Sequence, residues 1–343
     1  MNQPKPRRYV RFARKAITKC SVAAYMRRFS TTGIMRHLDF SSTPVTPLHY
    51  YSKDLGVNLL CKRDDLFVEA GGGSKARMLQ YILAEVNTAK YDVLLTAGGP
   101  CSNFNRACAL MCAKIGLPMH LVEYTDEPEE FATSLNYYLC QLAGIRTTRC
   151  LKTEVAATIS SVKDDYEKAG KRVKFVYGGG KSLEGIYAYY EAVEEIFNEQ
   201  INVDHLFVAC GTGTTLTGLC AGMQKYYPQA KVHAISTART YDAERTVLLD
   251  DMNILNDYLG TSYTFDNLDF SEEYLCGGYA KYNEDLMAAI RKCISHEGML
   301  IDPTYSGKAF WGMVDTIKKS TDYRGKNVLF WNTGGIFNLL SIK

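Results

Sequence analysis

From about residue 45 onward, short apolar runs alternate with stretches of helical period. YDVLLTAGG (91–99) predicts a buried strand ending in glycines. SNFNRACALMCAKIG (102–116) then predicts a helix with Ser102 as its N-cap and Gly116 as its stop. PMHLVEY (118–124) reads as a strand. Helical patterns fill roughly 128–143 and 154–169 around a short TTRCLKT stretch. VKFVYGGG (173–180) is a strand running into glycines, and 182–200 is a long helix. The second half repeats this pattern. Residues 204–227 read strand, glycine loop, helix; KVHAIST (231–237) is a strand; 284–298 is a helix with a glycine stop; and NVLFWNTGG (327–335) is a last strand. The pattern predicts an α/β chain with parallel sheets. Its glycine clusters follow strands, which in open α/β sheets is the ligand-binding edge.

Composition changes this picture little. The chain has 343 residues, 46% hydrophobic and 22% charged, enough for two domains with cores of their own. A formal net charge of +3 gives no case for nucleic acid or an acidic membrane as partner. The basic residues are concentrated at the start: residues 1–30 carry nine Lys or Arg and no acid. This arm, with RRFSTTG inside it, resembles a mitochondrial transit segment. Cytoplasmic location is the expectation otherwise. No apolar run approaches the length needed to span a bilayer. The eleven cysteines form no CxxC pair, which fits reduced thiols. The six histidines lack metal-ligand spacing, so no metal site is expected.

Two glycine-rich segments carry the candidate chemistry. In ACGTGTTLTGL, a strand delivers Gly211, Thr212, Gly213, Thr214 and Thr215 to a helix start. Backbone N–H groups and hydroxyls there suit a phosphate. A dinucleotide fingerprint fails, because Leu216 occupies the third glycine position and Ser236 and Thr237 stand where a ribose-binding acid belongs. A Walker loop fails for want of GK[ST]. The other segment, GGGSKARML (71–79), places Lys75 after three glycines. Alone it leaves open whether Lys75 holds a phosphate or forms a covalent bond. A phosphate loop without a nucleotide fingerprint, plus a distant lysine, suggests pyridoxal 5′-phosphate.

Six stretches, in order across about residues 45–340, then resemble one family: LLCKRDDLFVEAGGGSKARML, LLTAGGPCSNFNR, VACGTGTTLTGL, GGYAKYN, GMLIDPTYSGKAFWGM and LFWNTGG. The chain is similar to the fold-type II (tryptophan synthase β-like) pyridoxal-phosphate enzymes, in the branch of 1-aminocyclopropane-1-carboxylate (ACC) deaminase and D-cysteine desulfhydrase. The resemblance implies two domains of open, twisted, mostly parallel sheets with flanking helices and the cofactor between them. It implies a large cofactor-binding domain over 37–77 and 188–343, a small domain over 78–187, and a basic extension over 1–36. It also implies a homodimer and a small amino acid as substrate.

Residue by residue, the resemblance makes Lys75 the lysine that bonds the cofactor. Ser102 receives the substrate carboxylate, and Asn103 contacts the ring hydroxyl. Gly211 to Thr215 hold the phosphate, Tyr279 and Tyr305 flank the substrate, and Thr333 sits at the ring nitrogen. The implied activity is α,β-elimination on a small, D-configured amino acid such as D-cysteine, giving a 2-oxo acid, ammonia and sulfide. Three departures bear on it. Ser74 replaces the family's asparagine before the lysine. Phe104 replaces a polar residue after the SN pair and is expected to add an aromatic wall. Ser306 stands where ACC deaminases carry glutamate, which argues against cyclopropane opening. Ser74 and Phe104 keep two alternatives open: a β-replacement synthase, or a catalytically silent protein that binds through the old pocket.

Overall fold

The computed structural model describes residues 42–127 and 130–342. The basic arm, and with it the transit-segment expectation, lies outside the described residues. Ten strands form two sheets. The larger has the order β1-β2-β10-β7-β8-β9, the smaller β5-β4-β3-β6. The larger contains β1 (Val45–Pro47), β2 (Asn58–Arg63), β7 (His205–Cys210), β8 (Lys231–Ser236), β9 (Leu268–Ser271) and β10 (Asn327–Asn332). Only β1 runs antiparallel to its neighbour. The smaller contains β3 (Val93–Gly98), β4 (Met119–Tyr124), β5 (Arg146–Cys150) and β6 (Val173–Val176), all parallel. Helices follow most strands: α1 (His49–Leu55), α2 (Ser74–Ala89), α3 (Asn103–Lys114), α4 (Glu130–Thr133), α5 (Leu135–Leu142), α6 (Val155–Lys168), α7 (Leu183–Asn198), α8 (Thr214–Tyr226), α9 (Tyr241–Leu259), α10 (Glu284–Glu297), α11 (Ser306–Lys319) and α12 (Ile336–Leu340).

The expected strands and helices recur with few changes. The pattern over 128–143 contains two helices rather than one, because Ser134 caps the second and donates its hydroxyl to the Pro100 carbonyl. TTRCLKT supplies β5. Strand β2 and helix α9 were not singled out in the pattern. Within β2, Lys62 and Arg63 interrupt the apolar run; Lys62 is nevertheless fully buried, paired with Glu195 at 2.7 Å and with the Thr43 carbonyl at 2.6 Å. Helix α9 has only five buried side chains in nineteen residues, so its helical period is faint in the sequence.

Two packing features place the site. Helix α8 lies backbone-to-backbone on α7: a Cβ on Gly218 would come 2.2 Å from the Ile186 carbonyl, and one on Gly222 2.8 Å from that of Tyr190. These glycines let α8 seat deeply, which fixes the position of its N-terminus. The second feature is a buried polar knot at Asp64. Its carboxylate accepts from Arg77, Thr43, Tyr189 and Trp331, at 2.6 to 3.2 Å. Burial alone would raise its pKa, but the Arg77 guanidinium and the other donors hold it below the usual carboxylate range. Arg77 also pairs with Glu195, at 2.5 Å. The knot ties the first turn of α2 to β10 and α7.

Candidate active site

The glycine-bearing ends of β6, β7 and β10 and the N-termini of α2, α3 and α8 surround one cavity. Among its lining residues are Lys75, Asn103, Gly211, Thr212, Gly213, Thr215, Tyr305 and Thr333. Lys75 is the second residue of α2. Gly71, Gly72 and Gly73 before it all take positive φ, at 74, 80 and 95°. A Cβ at Gly72 would stand 2.1 Å from the Asp65 carbonyl, so a tight approach to backbone requires glycine there. The Lys75 ammonium donates to the Gly179 carbonyl at 2.9 Å and, among the described residues, makes no bond to a carboxylate. Burial lowers its pKa to about 8, so roughly a tenth is free amine at pH 7, far more than for an ordinary lysine.

Around this loop most backbone donors are spoken for. Gly72 donates to Glu69, Gly73 to Asp64, Ser74 to Thr333 and Ala76 to Gly73. The opposite holds at the start of α8. Gly213 takes φ 81°, and Thr212, Thr214 and Thr215 donate no backbone hydrogen bond within the described residues. The buried hydroxyls of Thr214 and Thr217 also lack partners there. Free donors at a helix N-terminus fit a phosphate, and a depressed lysine in the same cavity fits an aldehyde. The residues present therefore fit pyridoxal phosphate.

Ser102 is the N-cap of α3; its hydroxyl accepts from the Asn105 N–H at 3.2 Å. The Oδ1 of Asn103 accepts from Arg106 and from Asn136, both at 3.1 Å, which leaves its amide NH₂ to the cavity side. Arg106 is buried without a carboxylate partner; it stacks on Phe337 and donates to the Gly72 carbonyl, and burial lowers its pKa to about 10. Tyr305 is the N-cap of α11, with its N–H on the Asp302 carboxylate. Its phenol donates to that of Tyr279 at 2.9 Å. Desolvation raises both phenol pKa values, so both stay protonated.

The structure settles the three departures differently. Phe104 adds no wall to the cavity. It is 1% exposed and its ring lies against Gly180, so it backs the Gly178–Gly180 turn from the core side. Ser74 does line the cavity, and its hydroxyl serves the Tyr189 phenol. The Ser306 hydroxyl is engaged with Asp302 at 2.8 Å and with the Gly334 carbonyl at 3.0 Å, so it is not free for a ligand. Sequence reasoning overlooked Gly179 and Cys210 as lining residues. The glycine run 178–180 was the available signal for the first; nothing marked the second among eleven cysteines.

Residues 38–334 match the family model described as pyridoxal-phosphate dependent enzyme. A D-cysteine desulfhydrase of Salmonella typhimurium is 30% identical over 310 residues, 87% of this chain and 93% of that protein. A crystal structure described as an ACC deaminase homologue superposes with a TM-score of 0.81 at 29% identity, over 92% of this chain and 95% of the other. A hydrogen sulfide-producing enzyme from Fusobacterium nucleatum shares the fold, with a TM-score of 0.65 at 16% identity over 88% and 97% of the two chains.

Proposed function

The chain belongs to the pyridoxal-phosphate dependent enzymes, and from that premise we propose that it eliminates hydrogen sulfide from D-cysteine. With water the products are pyruvate and ammonia. The observation that carries the reading is the pairing, in one cavity, of a carboxylate-free Lys75 with an unfilled donor set at the start of α8.

When bound, pyridoxal phosphate supplies an aldehyde for a primary amine and a ring that withdraws electrons from the substrate Cα. Gly211 to Thr215 would hold the phosphate, the Asn103 amide would serve the ring hydroxyl, and the neutral Thr333 hydroxyl would serve the ring nitrogen. The N-terminus of α3 and the Ser102 hydroxyl take the substrate carboxylate, as a helix dipole favours. Lys75, poised near pKa 8, removes the Cα proton. Since Tyr305 spends its proton on Tyr279, the Tyr279 proton is the one left to give the departing sulfur. Ser306, turned to Asp302 and Gly334, offers nothing to a cyclopropane substrate.

We likewise read the chain as two domains, 37–77 with 188–343 and 78–187, a division supported by the two separate sheets, and as a homodimer on the family resemblance. Among the described residues no helix is long and apolar enough to cross a membrane. The test of function mixes holoenzyme with D-cysteine, L-cysteine and ACC and measures sulfide and 2-oxo acid. Sulfide from D-cysteine, and loss of both the visible cofactor band and activity by about 1,000-fold or more in Lys75→Ala, is the expected result. A new amino acid formed only when a second nucleophile is added, with no sulfide from D-cysteine alone, would replace elimination by β-replacement.

A further inference from the structure

Lys308 lies at the third position of α11, one helical turn beyond Tyr305, and is fully buried. Among the described residues its ammonium reaches no carboxylate. It donates instead to three main-chain carbonyls: Leu275 at 2.7 Å, Gly278 at 2.8 Å and Thr237 at 3.2 Å. That uses all three donors of the ammonium. Leu275 and Gly278 bracket a loop in which Cys276, Gly277, Gly278 and Ala280 all take positive φ, at 53, 89, 123 and 57°. Left-handed conformations at Cys276 and Ala280 are unfavourable for L-residues; the loop's own bonds, Gly278 N–H to the Leu275 carbonyl at 2.9 Å and Lys281 N–H to that of Gly278 at 3.3 Å, are supplemented from outside by Lys308. Tyr279, at the crest of this loop, is 43% exposed and has no backbone hydrogen bond of its own; its named polar contact is the Tyr305 phenol. Thr237, the third acceptor, sits beside the phosphate loop, with its N–H and hydroxyl on the Cys210 carbonyl at 2.9 and 3.0 Å.

We propose that Lys308 is the positioning residue that sets Tyr279 against the cavity-lining Tyr305, by clamping the strained 275–280 loop to the helical turn that carries Tyr305. One turn of α11 then fixes both tyrosines, and the 2.9 Å contact between their hydroxyls follows from that shared anchor. The catalytic consequence rests on the elimination reading; the clamp itself does not.

The test uses holoenzyme of the wild type, Lys308→Met, Tyr279→Phe and the double variant. Three quantities are read: hydrogen exchange of the peptide spanning 275–283, the visible cofactor band, and kcat and KM for sulfide release from D-cysteine. Lys308→Met is expected to speed exchange in that peptide by about ten-fold, leave the cofactor band intact, and lower kcat by about 100-fold, the scale of one acid–base group. Tyr279→Phe should lower kcat equally, and the double variant should be no worse than either single one. Losses that multiply, or a Lys308→Met protein with wild-type exchange and kcat, would overturn the proposal. If Lys308→Met does not fold, Lys308→Gln, which keeps a donor for the loop, is read the same way with about a five-fold effect on kcat. A glutamine variant that also fails to fold counts against a role confined to the loop. If the wild type releases no sulfide from D-cysteine, the functional reading fails, and the exchange measurement still decides the clamp.

Discussion

The starts of α2 and α8 look alike in sequence: each is a strand or loop, a glycine-rich turn, a hydroxyl residue and a helix, and in each the last glycine takes positive φ. Their backbone donors behave in opposite ways. At α2, Gly72, Gly73, Ser74 and Ala76 all spend their N–H groups on protein carbonyls. At α8, Thr212, Thr214 and Thr215 spend none within the described residues, and two buried threonine hydroxyls stand without partners. An anion site needs donors in reserve. The glycines at α2 instead admit the close approach of the Asp65 and Thr333 carbonyls and so fix where Lys75 points. Glycine richness at a helix start therefore has two meanings, told apart by where the amide hydrogens go.

Alanine at each loop should separate them. Gly72→Ala meets a carbonyl at 2.1 Å with φ at 80° and should cost about 3 kcal/mol or more of stability, seen as a large drop in Tm with or without cofactor. Gly213→Ala carries the same left-handed strain, with φ at 81°, about 1–2 kcal/mol, but meets only the ends of the Leu248 and Glu244 side chains, at 2.8 and 3.0 Å. It should fold and bind pyridoxal phosphate about 30-fold more weakly, by titration of the apo form. Equal stability losses at both positions would erase the distinction. Thr214→Val is a milder probe. Its hydroxyl has no protein partner, so the apo Tm should hold or rise while cofactor affinity falls about five-fold. The smallest effect concerns pH. A cation with a depressed folded pKa is neutralised as pH climbs through about 8, so the Lys75 amine is already half free there. Cofactor uptake by the apo form should rise only about two-fold from pH 8 to 9, where an ordinary lysine near 10.4 would give nearly ten-fold.

Much of this site could be read from the sequence because its parts are side chains in conspicuous settings. Lys75 after glycines, Ser102 before a helix and the GTGTT run each carry a local signature. What escaped was of three kinds. Gly179 contributes a carbonyl, which leaves no side-chain trace. Lys308 carries no local signature, since only the fold shows that three carbonyls converge on it. Phe104 was placed on the wrong side, because which way the second residue of α3 faces depends on how the chain turns at Pro100–Ser102, and neighbouring letters do not give that. In the fold, β2 was hidden by a buried Lys62 whose partner, Glu195, lies far along the chain.

The pairing of β2 with β10 has a consequence in time. The Asp64 carboxylate waits for the Trp331 indole, 267 residues later, and the Ser74 N–H waits for the Thr333 carbonyl. At ordinary synthesis rates that interval is on the order of half a minute. Until the last strand emerges, the nascent chain holds Lys75 on a helix whose anchor lacks Trp331 and Thr333. The cavity is thus complete only once Thr333 and Gly334 are made, and a chain cut short before β10 would carry Lys75 beside an unfinished wall.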